Sequence, residues 1–152
     1  MGRVHVTAHG SFAPDVFVTA LTDFGPGRAE IFGNNAANDL RVHERGETWA
    51  EVTEGSTTGP VWQRSRYDWS APGEVRIDVV DSNAFGPGSR WLYRVTPAAD
   101  GGADIDLSIV RVPNTTKGRM LDLLLSLGGG VFFGRDLRRT VHTLESRVSP
   151  AP

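Results

Sequence analysis

Three side chains that can hydrogen-bond or move protons, Gln63, Ser65 and Tyr67, recur at every second position of one segment. This alternation places side chains on one face of a β-strand. The intervening positions carry Arg64 and Arg66, which suit a solvated face, so the other three are expected to point inward. Because buried polar groups need partners, they either bond to each other and to ordered water or contact a ligand.

Two large aromatic residues, Trp91 and Tyr93, lie on the apolar face of another alternating segment. Inward aromatic side chains either fill a core or form the walls of a ligand pocket, where a tyrosine hydroxyl supplies a polar contact. Both interpretations remain open from the sequence.

An arginine ends the inward row of the last alternating segment, because Arg111 follows Ile105, Leu107 and Ile109 at spacings of two. We consider three arrangements for it. It contacts a carboxylate or enolate of a ligand, it pairs with Glu54 or another acid, or it extends along the surface to solvent.

Several classes of site are absent. The 152 residues include no cysteine, which excludes disulfides, thiolate metal sites and a cysteine nucleophile. The histidines, His5, His9, His43 and His142, show no metal-ligand spacing. No nucleophile elbow, phosphate-binding loop or dinucleotide fingerprint occurs. We therefore predict no metal and no cofactor, and the net charge of -2 gives no basic field for nucleic acid.

The order of elements is inferred from changes in hydrophobic period. An alternating first strand is followed by a helix with Pro14 in its first turn and by a short helix at Arg28–Phe32, ended by Gly33-Asn34-Asn35. Six alternating strands then run from Leu40 to Val112, separated by glycine- and proline-containing turns. A long helix begins at Thr115 or Thr116 and extends towards Arg147.

The last helix carries an apolar stripe suited to covering the sheet, formed by Phe133, Leu137, Val141 and Leu144. Gly128-Gly129-Gly130 predicts a kink or break within it, because glycine disfavours a helix interior by about 1 kcal/mol per residue relative to alanine. Met120–Leu127 is apolar on nearly every side. The apolar side chains not needed to cover the sheet are expected to pack under loops, to form a dimer interface or to touch a membrane. We favour packing or a dimer.

This order of elements resembles the START-like helix-grip superfamily (SRPBCC), and within it the polyketide cyclase/dehydrase and lipid-transport branch. The resemblance covers nearly the whole chain. It rests on the Phe12–Phe17 start of the first helix, the Ala20–Asp23 end of that helix, the six strands and the terminal Asp136–Glu145 helix. It implies an α+β helix-grip fold, in which a curved antiparallel sheet of about seven strands wraps around the C-terminal helix and leaves a cavity.

The leading functional hypothesis is a module that binds a small hydrophobic or amphipathic ligand, lipid or polyketide-like, in this cavity. The alternative is a cyclase- or dehydratase-type enzyme in which Gln63, Tyr67, Tyr93 and Arg111 orient a polyketide-like or aromatic substrate and shuttle protons. A third hypothesis is a protein-interacting domain whose cavity is filled by Trp69, Trp91 and Phe133. The predicted ligand-binding residues are Gln63, Ser65, Tyr67, Trp69, Trp91, Tyr93, Leu107, Arg111, Phe133 and Leu137.

Domain boundaries and location complete the expectations. We predict one domain over residues 1–148 and a disordered tail over 149–152. Met1–Ser11 lacks the continuous apolar run of a signal peptide, and Met120–Phe133 is too short to span a bilayer. A cytoplasmic monomer or homodimer without stable membrane insertion is therefore expected. Phe24–Phe32, with glycines around a short helix, is predicted to be a movable lid.

Overall fold

The computed structural model describes residues 2–32, 40–55 and 61–148, and it has the predicted α+β architecture. The glycine–asparagine segment after Phe32 and the C-terminal tail lie outside these residues. The elements are β1 (Gly2–Gly10), α1 (Pro14–Leu21), α2 (Arg28–Ile31), β2 (Arg41–Arg45), β3 (Trp49–Gly55), β4 (Trp62–Asp68), β5 (Glu74–Ser82), β6 (Arg90–Pro97), β7 (Ala103–Arg111) and α3 (Thr116–Val148).

The seven strands form one antiparallel sheet in the order β1-β7-β6-β5-β4-β3-β2. Strands β2 to β7 follow each other as neighbours, and β1 joins the far side of β7, with Gly2 opposite Arg111 and Gly10 opposite Ala103. The first and last strands of the chain therefore lie side by side, directly before the long helix starts.

The predicted alternation gives the correct inward face for most strands. Along β7 every second residue from Ala103 to Arg111 is buried, and along β4 the buried residues are Ser65 and Tyr67. Strand β2 differs, because every residue in it is exposed, including Val42, which was expected to point inward. As the edge strand it pairs only with β3, and its register shifts between Val42 and Glu44.

Helix α3 covers the apolar face of the sheet and closes the core. Leu137, Val141 and Leu144 are buried within one cluster that also contains residues of β1, β3–β7 and α1. Phe133, at the N-terminal end of this stripe, is only half-buried against the same cluster. The helix predicted as a cover is therefore confirmed.

The break predicted at Gly128-Gly129-Gly130 is wrong, because α3 is helical without interruption from Thr116 to Val148. Part of the reason is contact with the first strand. A methyl group placed on Gly129 would lie 3.1 Å from Val4 Cγ2, and one on Gly134 would lie 3.7 Å from Val6 Cγ1. Small residues at these two positions let α3 approach β1 closely, which favours keeping the segment helical.

The apolar residues in the first half of α3 divide between two faces. Leu121 and Leu125 lie on the cavity side. Met120, Leu123, Leu124 and Leu127 are instead largely exposed, Leu127 to 83%. The predicted packing under loops is therefore wrong for these four side chains. None of the helices in the described parts of the chain is long and apolar enough to cross a membrane.

Candidate functional site

A cavity of about 330 Å³ lies between the sheet and α3. All the predicted ligand-binding residues except Ser65 and Trp69 are on its wall. The predicted residues found on the wall are Gln63, Tyr67, Trp91, Tyr93, Leu107, Arg111, Phe133 and Leu137. Their role in binding remains a prediction.

The two exceptions have local explanations. Ser65 points inward but is buried, and its hydroxyl accepts a 2.9 Å hydrogen bond from Gln63 Nε2. Trp69 follows the end of β4 and packs half-buried against the core cluster. The strand phase was thus correct, but the cavity spans a shorter part of β4 than predicted.

A buried polar cluster at one wall joins α2 to two strands. Arg28 Nε donates a 2.8 Å hydrogen bond to Glu54 of β3, and its Nη2 donates one of 3.1 Å to the Tyr67 hydroxyl of β4. That hydroxyl donates in turn to the second oxygen of Glu54 at 2.6 Å. Burial, together with the Glu54 charge, raises the pKa of Tyr67 well above its usual value. Tyr67 is therefore a neutral, fully engaged bridge rather than the free proton carrier that the enzyme hypothesis needs.

Arg28 also fixes the chain that precedes α2. Its Nη1 donates to the backbone oxygens of Leu21 at 2.8 Å and Asp23 at 2.9 Å, which closes the end of α1. The guanidinium lies 4.7 Å from the Phe24 ring centre and 4.9 Å from that of Phe32, so aromatic faces surround it. No pattern in the sequence distinguished Arg28 from the other arginines, because its partners are distant in the chain.

A second buried ion pair lies at the end of β7, where Arg111 lines the cavity. Arg111 Nε donates a 2.9 Å hydrogen bond to Asp122 of α3, and the arginine side chain is fully buried. The extension to solvent and the pairing with Glu54 considered above are therefore wrong, whereas pairing with another acid is correct. Asp122 was missed because it interrupts an apolar helical run without belonging to a recognisable motif.

A third polar part of the wall contains Asp136 of α3 and Tyr93 of β6. Burial raises the pKa of Asp136 on α3, and burial and then the Asp136 charge raise the pKa of Tyr93 on β6. Thr140, one turn along α3, donates to the backbone oxygen of Ile31 at 3.2 Å. Asp136 lies on the cavity wall beside these groups. The sequence offered no sign of it, since the helical stripe analysis placed only apolar residues inward.

The histidines on the outer face of the sheet form structural contacts. His5 lies 2.8 Å from Asp106, and His9 lies between Asp100 and Asp104 at 2.8 and 2.9 Å. These contacts connect β1 with β7 and with the turn before it. Within residues 2–32, 40–55 and 61–148, no group of histidine and acidic side chains could hold a metal ion.

Comparison with known proteins gives similarity in fold rather than in sequence. No protein-family model matches the chain, and no curated protein matches it. Among solved structures, TTHA0849 from Thermus thermophilus superposes with a TM-score of 0.77 at 12% identity, over 97% of this chain and 99% of that one. The Zhui aromatase/cyclase from Streptomyces sp. R1128 superposes with a TM-score of 0.77 at 16% identity, over 97% of this chain and 95% of that one. A START superfamily protein from Mycobacterium smegmatis gives 0.69 at 10% identity, over 97% of each chain.

Proposed function

Because the chain has the START-like helix-grip fold, we propose that it binds one small amphipathic molecule in the cavity between the sheet and α3. The observation that carries this proposal is the composition of the wall. Apolar side chains such as Leu107 and Leu125 form most of it, while the polar groups are few and include Arg28, Arg111 and Asp136. A mostly apolar pocket with a few fixed polar groups is the usual form of a small-molecule site.

The cavity volume limits the size of the ligand. About 330 Å³ lies at the lower end of the range for small-molecule sites, which is roughly 300–1,000 Å³. This favours a compact molecule of a few rings or a short chain over a diacyl lipid. An open space of this size also argues against the third hypothesis, in which Trp69, Trp91 and Phe133 fill the interior.

Two neighbouring leucines of α3 provide a direct test. Leu125 lines the cavity, whereas Leu124 is exposed on the outer side of the same turn. We expect a fluorescent aromatic probe to saturate the wild-type protein and the Leu124→Trp variant, and to bind Leu125→Trp at least tenfold more weakly because the indole fills the cavity. Absence of saturable binding to the wild-type protein, or equal binding to both variants, would contradict the proposal. Native mass spectrometry of the purified protein would identify a retained ligand.

A second candidate function, a cyclase- or dehydratase-type enzyme, is favoured by Asp136. A cavity carboxyl group with a raised pKa can hold a proton nearer to neutral pH than an ordinary aspartate. In a dehydration the Asp136 carboxylate would take the proton from the carbon next to a carbonyl, and the C–H electron pair would form the carbon–carbon double bond. The protonated Asp136 would then give that proton to the β-hydroxyl, which leaves as water. The test is NMR detection of this elimination from an aromatic β-hydroxy ketone. Asp136→Asn should abolish turnover but leave probe binding intact. Absence of turnover by the wild-type protein would contradict the enzyme function, and only the binding function would then stand.

The cytoplasmic location and the monomer-or-homodimer state remain predictions. Sedimentation equilibrium of the purified protein tests the second of these directly.

A further inference from the structure

The Arg111 guanidinium is only partly satisfied within the described protein. Its Nε bonds to Asp122, but Nη1 and Nη2 are buried and have no hydrogen-bond partner. The side chain lies on the cavity wall, 5.9 Å from the ring centre of Phe133. Buried polar groups in folded proteins nearly always have a partner, so two unpaired N–H-bearing atoms on a side chain of the cavity wall point to a hydrogen-bond acceptor bound there.

Glycines leave the space in which this guanidinium lies. A methyl group on Gly2 would collide with the Arg111 and Asp122 side chains, and one on Gly129 would lie 3.7 Å from Arg111 Nη1. Residues from β1, β7 and α3 therefore hold the arginine in one orientation. Such a fixed, planar donor group is suited to recognising an oxygen atom of a bound molecule.

The charges around the cavity decide between an anionic and a neutral acceptor. Arg111 is already paired with Asp122, and Arg28 is paired with Glu54, so both buried pairs are neutral overall. Among the described residues of the wall, the remaining charged group is Asp136, an acid. A carboxylate ligand would therefore add a negative charge to a wall whose described arginines, Arg28 and Arg111, are already paired with acids, which is unfavourable in an apolar interior.

From these observations we infer that the ligand is an uncharged carbonyl compound, a ketone, quinone or lactone, whose oxygen accepts hydrogen bonds from Arg111 Nη1 and Nη2. This rests on the proposed binding function and specifies the chemistry of that site. It replaces the carboxylate or enolate contact that the sequence suggested for Arg111.

Three probes of nearly the same shape test this inference: 2-acetylnaphthalene, 2-isopropylnaphthalene and 2-naphthoate. We expect the wild-type protein to bind the ketone at least tenfold more tightly than the hydrocarbon, although the ketone is better solvated in water. The carboxylate should bind no better than the hydrocarbon. Equal binding of ketone and hydrocarbon, or tightest binding of the carboxylate, overturns the inference but leaves the proposed function standing. Failure of all three to bind overturns both.

A double substitution assigns the preference to Arg111. Arg111→Met combined with Asp122→Asn removes both charges together, so neither is left buried and unpaired. We expect this variant to keep the affinity for isopropylnaphthalene and to lose the tenfold preference for the ketone; a retained preference overturns the assignment. If the variant does not fold, arginine side-chain NMR of the wild-type protein decides. The Arg111 Nη resonances should shift with the ketone and not with the hydrocarbon, and unchanged resonances contradict the inference.

A different observation, on the outer side of α3, carries a second inference. Seven exposed residues recur at spacings of three and four and so form one stripe along the helix. Cations occupy its two ends and large apolar residues its middle. We call this set the outer stripe: Lys117, Met120, Leu124, Leu127, Val131, Arg135 and Arg138.

The charge pattern of the outer stripe distinguishes between possible partners. The acids of this part of α3 are Asp122, which is buried, and Asp136, which lies on the cavity wall, so neither is on the stripe. Two copies paired through the stripe would bring Lys117 against Lys117 in a parallel arrangement, or against Arg135 and Arg138 in an antiparallel one. Like charges meet in both cases, which disfavours a dimer.

We propose that the outer stripe binds an anionic lipid surface, with the leucines in the interface and the flanking cations against the headgroups. An apolar helix face bordered by basic residues is typical of helices that lie in a membrane interface. Residues of the same helical segment, such as Leu125, line the cavity on the inner side.

Vesicle co-sedimentation tests this proposal with matched variants. The wild-type protein should bind vesicles of 70% phosphatidylcholine and 30% phosphatidylglycerol, with at least tenfold weaker binding to pure phosphatidylcholine. Leu124→Gln with Leu127→Gln should abolish binding. The control pair Val42→Gln with Val80→Gln, at exposed apolar sites on the sheet, should not change it. No binding by the wild-type protein, or equal binding to both vesicle types, overturns the proposal. A stable dimer in sedimentation equilibrium that dissociates in the leucine variant also overturns it.

Discussion

The Tyr67 hydroxyl of β4 donates a 2.6 Å hydrogen bond to Glu54 Oε2 of β3, and both residues lie on the cavity wall. Arg28 completes this cluster from α2, which makes it a connection between the short-helix region and the sheet. The structure thus predicts that the cluster affects stability and ligand access together.

We expect Arg28→Met to destabilise the protein more than Tyr67→Phe. The first change removes one partner of the Arg28–Glu54 ion pair, and losses of about 3–5 kcal/mol are usual when a buried pair is broken in this way. The second removes one hydroxyl and leaves the Arg28–Glu54 ion pair in place, for which about 1–3 kcal/mol is expected. Urea unfolding measures both, with the exposed Arg66→Met as control. An equal or reversed order would show that the ion pair is not the main contact.

The Phe24–Phe32 segment remains our predicted route for the ligand, and Arg28 and Phe32 from it line the cavity. Because Arg28 holds the segment through Glu54, Leu21 and Asp23, Arg28→Lys, which cannot make all these contacts, should open it more often. We expect the association and dissociation rates of an aromatic probe in stopped-flow measurements to rise together, with a smaller change in Kd. Unchanged rates would place the route elsewhere.

Phe133 and Leu137 are one turn apart on α3 but differ in their surroundings. Leu137 is 4% exposed within the core, whereas Phe133 is half-buried at the cavity wall. Leu137→Ala should lower the free energy of unfolding by about 2–5 kcal/mol. Phe133→Ala should lower it less and should change which apolar probe binds best. From their positions on the helix, Gly130 and Gly134 are predicted to leave room beside Phe133, but Gly130 faces open space and Gly134 packs towards Val6. Equal destabilisation with unchanged probe preference would identify Phe133 as ordinary core.

Replacing Asp136 with asparagine should stabilise the protein at neutral pH. Burial raises the pKa of this carboxyl group in the folded state, so the folded protein binds a proton more readily than the unfolded chain. The ionised Asp136 carboxylate therefore destabilises the folded protein, and this contribution is fully present above the raised pKa. It disappears below the ordinary value of 3.8. In urea unfolding, the free energy of unfolding of Asp136→Asn should exceed that of the wild-type protein at pH 7, and this difference should vanish near pH 3. A difference independent of pH would contradict this explanation.

The sequence was most informative where a local period determines the outcome. Alternation correctly gave the inward positions of Tyr67, Tyr93 and Leu107, because a strand has only two faces. It did not give the partners of Arg28 or Arg111, since ion pairs between distant elements leave no periodic signal. The predicted break at the glycines failed for a related reason: intrinsic propensity was considered, but the contact of Gly129 with Val4 was not visible.

The glycine segment of α3 has a consequence for the order of folding. Gly128 and Gly130 contact nothing within 4 Å of where a side chain would begin, so their helical conformation draws on no local packing. A peptide of residues 116–148 alone is expected to have little helix across this segment, because glycine lowers helix propensity and isolated helices are marginal in water. The first half of α3 therefore becomes helical on docking against β1, which itself pairs with β7 more than 100 residues later, Gly2 with Arg111. During synthesis β1 must wait for β7, and the cavity is completed only after α3 has also been made.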